Sequence, residues 1–193
     1  TKYHYFLITI YSIAWVISAI NPTTPENWFM ENIVIFVWIP IFIFLGRYFK
    51  LSNISYTIIT LFMIFHLFGA HYNYGAVPFG ETIGEWMGGE RNQFDRLMHL
   101  FFGLLIVYPI HQLFIQISNL KGFWSYFFSI NIILSLSAVY EIFEWLSVAN
   151  LPPEIGYLFI GGNDPWDAEK DMALAGIGAF LTMFILYFVH TEV

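Results

Sequence analysis

His66, His71, Asp95, His99, Glu141, Glu144, Asp167 and Asp171 all stand within or at the edge of strongly apolar stretches. Ionisable side chains in such segments are costly when the segment spans a membrane, and they then face a bundle interior or an aqueous cavity. Their spacing is helical. Asp95 and His99 are four residues apart and share a helix face, as do Asp167 and Asp171. Glu141 and Glu144, three apart, share another. His66 and His71 are five apart, about 140° around a helix. Both can line one site only if the helix unwinds near Gly69-Ala70; otherwise His71, nearer the acids, is the better placed. Carboxylates gathered in a dry pocket either take up protons or share a cation. The pattern therefore predicts a divalent metal held by His71, His99, Glu141 and Asp171, with Glu144, Asp95 and Asp167 as outer partners or a general base. Nitrogen plus carboxylate oxygen suits zinc, manganese or iron, and suits calcium or magnesium less. Such a metal can activate water or polarise a phosphoryl oxygen.

Membrane helices must position these groups. The chain has 193 residues, 58% hydrophobic and 11% charged, where a soluble domain is about a quarter charged. A span needs about 20 mostly apolar residues. Six segments qualify: Tyr3–Ile20, Trp28–Gly46, Ile54–Tyr74, Phe94–Gln116, Phe123–Val148 and Trp166–His190. Pro22, Pro25, Gly75, Pro78, Gly80, Pro152, Pro153, Gly161 and Gly162 punctuate the connections. Pro40 lies inside the second span and should kink it, which membrane helices tolerate. The first segment lacks a small-residue cleavage site before Asn21-Pro22 and reads as a retained helix. The expected fold is all-α: one transmembrane bundle of six helices over residues 1–193, surrounded by membrane lipid.

Lys2, Arg47, Lys50 and Lys121 fall on one side, which places both termini in the cytoplasm by the positive-inside rule. Trp28, Trp145 and Trp166 then mark the outer boundary and Trp124 the inner one. Of fourteen acids, only Glu192 falls at the inner end. Depletion of acid from the inner side accounts for Glu26, Glu81, Glu85, Glu90 and Glu154, but not for acids inside apolar helices. The third and fifth helices run outward and end on their polar residues; the fourth and sixth run inward and begin on theirs. Four helices thus bring eight ionisable groups to one depth.

Plainer readings exist for part of this set. Asp164, before Pro165-Trp166, suits a helix N-cap, with Asp167 completing a capping pair. Asp95 also opens a helix, where negative charge is favoured, and has Arg91 and Arg96 as neighbours. Glu141, Glu144, His99 and Asp171 lie deeper, where the plain alternative is a structural hydrogen-bond network. Ala168, Ala175, Gly176, Gly178 and Ala179 give the last helix a small face for close packing. The glycine-rich segment from Gly80 to Asn92 has no Lys-Ser/Thr ending, so it is no phosphate loop; a flap over the site is the alternative. His111, His190 and His4 carry no assigned chemistry.

Four strings carry a family resemblance: His66-Leu-Phe-Gly-Ala-His71-Tyr-Asn-Tyr74, Arg91-Asn-Gln-Phe-Asp95-Arg96-Leu-Met-His99, Tyr140-Glu141-Ile-Phe-Glu144-Trp145 and Gly162-Asn-Asp164-Pro-Trp-Asp167-Ala-Glu-Lys-Asp171-Met172. Together, over nearly the whole chain, they resemble the YjdF-like family of bacterial inner-membrane proteins. That resemblance implies a multi-pass protein of the bacterial inner membrane and little biochemistry. More loosely the chain is similar to VanZ-like proteins, whose strings correspond to Asp95-Arg96-x-x-His99, Glu141-x-x-Glu144 and Asp167-x-x-x-Asp171. There Lys becomes Arg, Gln becomes Glu and Asn becomes Asp. This second resemblance implies a link to glycopeptide resistance and the cell envelope, while the added negative charge counts against a shared mechanism.

Three classes of function follow. A metal-dependent hydrolase or transferase would act on a lipid-linked or envelope substrate at the outer boundary. A transporter would hold its ion near the bilayer midplane, usually beside repeats, and no repeat is evident. An accessory protein would use the polar cluster only to hold helices together. A net charge of −7 gives no basic face for nucleic acid, and zero cysteines exclude thiolate chemistry.

Overall fold

The computed structural model describes residues 2–150 and 164–190. Pro152, Pro153, Glu154, Gly161, Gly162 and Glu192 lie outside the described residues, as do the first two residues of the fourth string.

Among the described residues the chain is helical, without strands. The helices are α1 (Lys2–Ser18), α2 (Pro25–Leu45), α3 (Asn53–Tyr72), α4 (Pro78–Trp86), α5 (Phe94–Ser118), α6 (Phe123–Asn150) and α7 (Asp167–His190). Five of them, α2, α3, α5, α6 and α7, are long and apolar enough to cross a membrane. The expected boundaries agree to within a few residues. The expected first span also matches in position, and falls short only in length. At 17 residues, α1 rises about 25 Å, short of a hydrocarbon core of about 30 Å.

Local chemistry sets these ends. Ser52 caps α3 by accepting from the Ser55 N–H at 3.1 Å. Pro25 opens α2 at a position where no N–H is needed. Asn119, in the left-handed region, stops α5. Pro40 lies inside α2, which continues to Leu45. Large apolar side chains stay exposed along the helices, among them Ile13 and Ile17 on α1, Phe36 and Ile43 on α2, and Phe180 and Phe184 on α7. Facing water such a surface would drive association; facing lipid it is the required solvent boundary.

The segment from Gly80 to Asn92 is neither a loop throughout nor a free flap. Its first half is the short helix α4, too brief and too glycine-rich to register as periodicity. A Cβ at Gly84 would meet the Arg91 carbonyl oxygen at 2.1 Å, and one at Gly80 would meet Asn92 Oδ1 at 1.9 Å. The glycines thus let the returning segment lie directly on α4. Asn92 locks that return, donating to the Val77 carbonyl at 2.8 Å and accepting from the Phe94 N–H at 3.0 Å.

The core of the bundle is the crossing of α5 and α7. Pro109 lacks the N–H that an α-helix would use, and one turn earlier α5 widens into a π turn at Phe102–Ile106. The Leu104 carbonyl is satisfied from the neighbouring helix, accepting from Thr182 Oγ1 at 2.7 Å. Within the π turn, a Cβ on Gly103 would meet the Ala175 carbonyl oxygen at 2.0 Å. A Cβ on Gly178 would meet the Leu100 carbonyl oxygen at 2.5 Å. Ala175 and Ala179 are fully buried beside them. Ala175, Gly178 and Ala179 of the small face expected of the last helix make this contact, while Gly176 faces Leu134 of α6. On α6 a matching stripe at intervals of four, Ser125, Ser129, Ile133, Ser137 and Glu141, is buried against the bundle.

Candidate functional site

The helix crossing determines where the polar groups meet. His99 lies one turn before Gly103 on α5, and Asp171 one turn before Ala175 on α7. Backbones that touch at Gly103 and Ala175 therefore bring His99 and Asp171 face to face. Asp95 lies one turn further along the same face of α5. Ligand atoms of Asp95, His99 and Asp171 all lie within 4.8 Å of one another, and all three residues are buried. α6 supplies the fourth group: His99 Nε2 is 3.1 Å from Glu141 Oε1 and 3.8 Å from Asp95 Oδ1. Ser137, one turn before Glu141, lies 3.2 Å from His99 Nδ1 and orients the ring.

Of the residues anticipated as ligands, His99, Glu141 and Asp171 come together. Asp95, expected as an outer partner, is in the innermost group. Asp167 stands beside Asp171 and pairs with Arg91, and with Arg96 at 3.5 Å. Glu144 lies within electrostatic reach of Asp95, Glu141, Glu31 and Asp171. His71 is elsewhere. α3 stays helical through Tyr72, so the two histidines diverge, and His71 Nδ1 meets the Ser18 carbonyl at the end of α1, 3.0 Å away. His66 is the buried one of the pair.

The plainer reading has Asp164 as the N-cap, but α7 begins three residues on, at Asp167; Asp164 accepts from the Trp166 N–H at 3.1 Å in the turn that leads into it. It also pairs with Arg96 and Lys170, each at 2.5 Å. Lys170, the Trp166 N–H and Arg96 together hold its carboxyl well below the usual carboxylate range. Such a group adds stability above its unfolded pKa, about 3.9, and loses it as pH falls through the folded value. Asp164→Asn should therefore flatten the acid side of the thermal-stability profile below about pH 4. Parallel profiles for wild type and variant would count against the pairing.

One buried acid escaped the sequence reading. Glu31, on the second turn of α2, is 3% exposed. Its Oε2 accepts from Tyr140 Oη of α6 at 2.9 Å. Tyr74 Oη and His66 Nδ1 are 2.6 Å apart, and His66 Nε2 lies 3.3 Å from the Glu31 carbonyl. The Tyr140 ring stands edge-on to His99, centroids 5.9 Å apart, and so joins this second cluster to the first. An acid on an apolar span was the available signal, masked by the nearby acid Glu26 in the first turn of α2. Tyr140→Phe leaves a buried carboxyl oxygen without its donor, a loss of about 1–3 kcal/mol. Thermal unfolding in detergent should register it; an unchanged midpoint would mean the bond carries no weight.

Several buried atoms in the first cluster have no hydrogen-bond partner, including Asp171 Oδ1, Arg91 Nε and Nη1, and Arg96 Nε. Native proteins rarely leave buried polar atoms unmatched, and each costs about 1–3 kcal/mol. Asp95, His99 and Asp171 are of the residue types that ligate divalent cations.

Over residues 3–192 the chain matches the profile of a family described as predicted membrane protein (DUF2238). The chain belongs to that family. Among its relatives is the inner membrane protein YjdF of Escherichia coli, 29% identical over 165 residues, covering 85% of this chain and 79% of that protein. No solved structure matches. This DUF2238 chain is a multi-pass inner-membrane protein, as the YjdF-like resemblance implied.

Proposed function

We propose that this chain is a membrane metalloprotein that holds one divalent cation between Asp95, His99, Glu141 and Asp171. The observation that carries this reading is the convergence of three buried ligand residues from two helices, with ligand atoms within 4.8 Å of one another. An unpartnered carboxyl oxygen on Asp171, Oδ1, supports it. One nitrogen and three carboxylates suit manganese, iron or zinc. Asp167 and Glu144 are then the outer carboxylates available to orient a water or take its proton, as a metal-dependent hydrolase or transferase requires.

The orientation belongs to the same proposal. α1 acts as a sixth span, with local thinning of the bilayer accommodating its length, and both termini are cytoplasmic. The polar end, where α1, α3 and α6 finish and α2, α5 and α7 begin, then faces outward. A lipid-linked or envelope substrate would reach it there. Transport is less favoured, because the groups gather at one end of the bundle and not at mid-depth. The link to the cell envelope suggested by the VanZ-like strings is compatible but rests on those strings alone.

Elemental analysis of protein purified without chelator tests the reading. About one manganese, iron or zinc per chain is expected, falling to trace levels in Asp171→Asn. A metal-free wild type, or equal metal in the variant, would end it.

A further inference from the structure

Arg91 and Arg96 are not used by the cation site, yet they adjoin it. We propose that these two arginines, with Lys170, form an anion-recognising wall, and that the ligand of the site carries a phosphate or diphosphate group. This rests on the divalent-cation reading above.

Both guanidinium groups approach the same oxygen, Asp167 Oδ1. Asp167 in turn stands beside Asp171, so the arginine pair lies one carboxyl away from the cation donors. The acids do not exhaust the arginines. Arg91 Nε and Nη1 and Arg96 Nε are shielded from solvent and have no hydrogen-bond partner. A guanidinium offers five donors in a fixed fork, a geometry that matches phosphate oxygens in pairs. Lys170 adds a half-exposed ammonium paired with Asp164.

Two helices reinforce the wall. α5 and α7 both begin here, with Asp95 and Asp167 in their first turns. Helix N-termini favour negative charge and bind anions. The carboxylates nearby oppose an anion, so the phosphate is received by the arginine edges they leave open and by the cation that offsets their charge.

The depth indicates the carrier. Trp86, Trp145 and Trp166 are each more than half exposed around this end of the bundle, as in the aromatic belts found at headgroup level. A phosphate presented by a membrane lipid would arrive at that height; free diphosphate could reach it from the aqueous side.

The test uses manganese-loaded full-length protein in detergent. Retention of phosphatidic acid is compared with phosphatidylcholine by native mass spectrometry, and inorganic diphosphate binding is followed by calorimetry. Wild type should retain phosphatidic acid over phosphatidylcholine. Arg91→Lys, which keeps the charge but loses the fork, should weaken retention about tenfold with metal content unchanged. Preference for phosphatidic acid identifies a lipid source, and tight diphosphate binding alone a soluble one; both support phosphate recognition. Metal-loaded wild type with no affinity for either overturns the proposal and leaves the cation reading standing, as does full retention in Arg91→Lys. Should that variant not fold, the wild-type comparison decides. A wild type that takes up no metal removes the underlying reading itself.

Discussion

His99→Ala should lower divalent-metal affinity by more than about 100-fold, beyond the 10–100-fold typical of losing an outer partner. His99 supplies the only nitrogen to the donor set, and its Nε2 lies 3.1 Å from Glu141 Oε1 and 3.8 Å from Asp95 Oδ1. Removing it leaves carboxylates alone, a set better suited to magnesium or calcium. The residual affinity should therefore shift away from zinc as well as fall. His71→Ala is the matched control, since His71 bonds to Ser18. Its metal affinity should match wild type within about threefold, far below the effect of losing a ligand. Competition titration with a chelating dye measures both. Equal affinities for wild type and His99→Ala would show that the cluster only ties helices together.

Gly103→Val should have the largest effect on stability. The added atoms would meet Ala175 carbonyl oxygen and Ala179 nitrogen, which are backbone atoms and cannot rotate away. Overpacking usually costs about 1–3 kcal/mol, occasionally more, and an immobile neighbour puts this site at the upper end. Helix propensity acts in the opposite sense by at most about 1 kcal/mol, so packing decides the sign. With roughly 2–4 °C per kcal/mol for a chain of this size, the midpoint should fall by about 6–12 °C. Gly176→Ala is the informative comparison: its Cβ meets only the Leu134 side chain, at 2.8 Å, which can adjust. Similar losses in the two variants would contradict the crossing. Because Gly103 and Ala175 also set the spacing of His99 and Asp171, Gly103→Val should weaken metal binding too.

Much of this was legible in the sequence because membranes impose a coarse rule. A span must be long and apolar, so five helices could be placed to within a few residues. Helical spacing then put Asp95 with His99 and Asp167 with Asp171, and alternating direction put all of them at one end. What escaped depended on tertiary contact. The arithmetic showed that His66 and His71 diverge and favoured His71, which lies nearer the acids; the structure turns His66 inward instead. That choice is set by the end of α1, whose Ser18 carbonyl takes His71. Asp95 was assigned outside the ligand group because it opens a helix beside two arginines; the structure sends the close ion pairs of Arg91 and Arg96 to Asp167 and Asp164. Glu31 went unread beside Glu26, although only one of them is buried. α4 is nine residues long with internal glycines, and those glycines serve close packing more than turn formation.

The most direct test is a density map of protein prepared with manganese, at a resolution that separates side-chain atoms around His99. The account predicts a strong peak about 2.0–2.2 Å from a His99 nitrogen and from oxygens of Asp95, Glu141 and Asp171. Density showing only water, or nothing, between these four residues would contradict it.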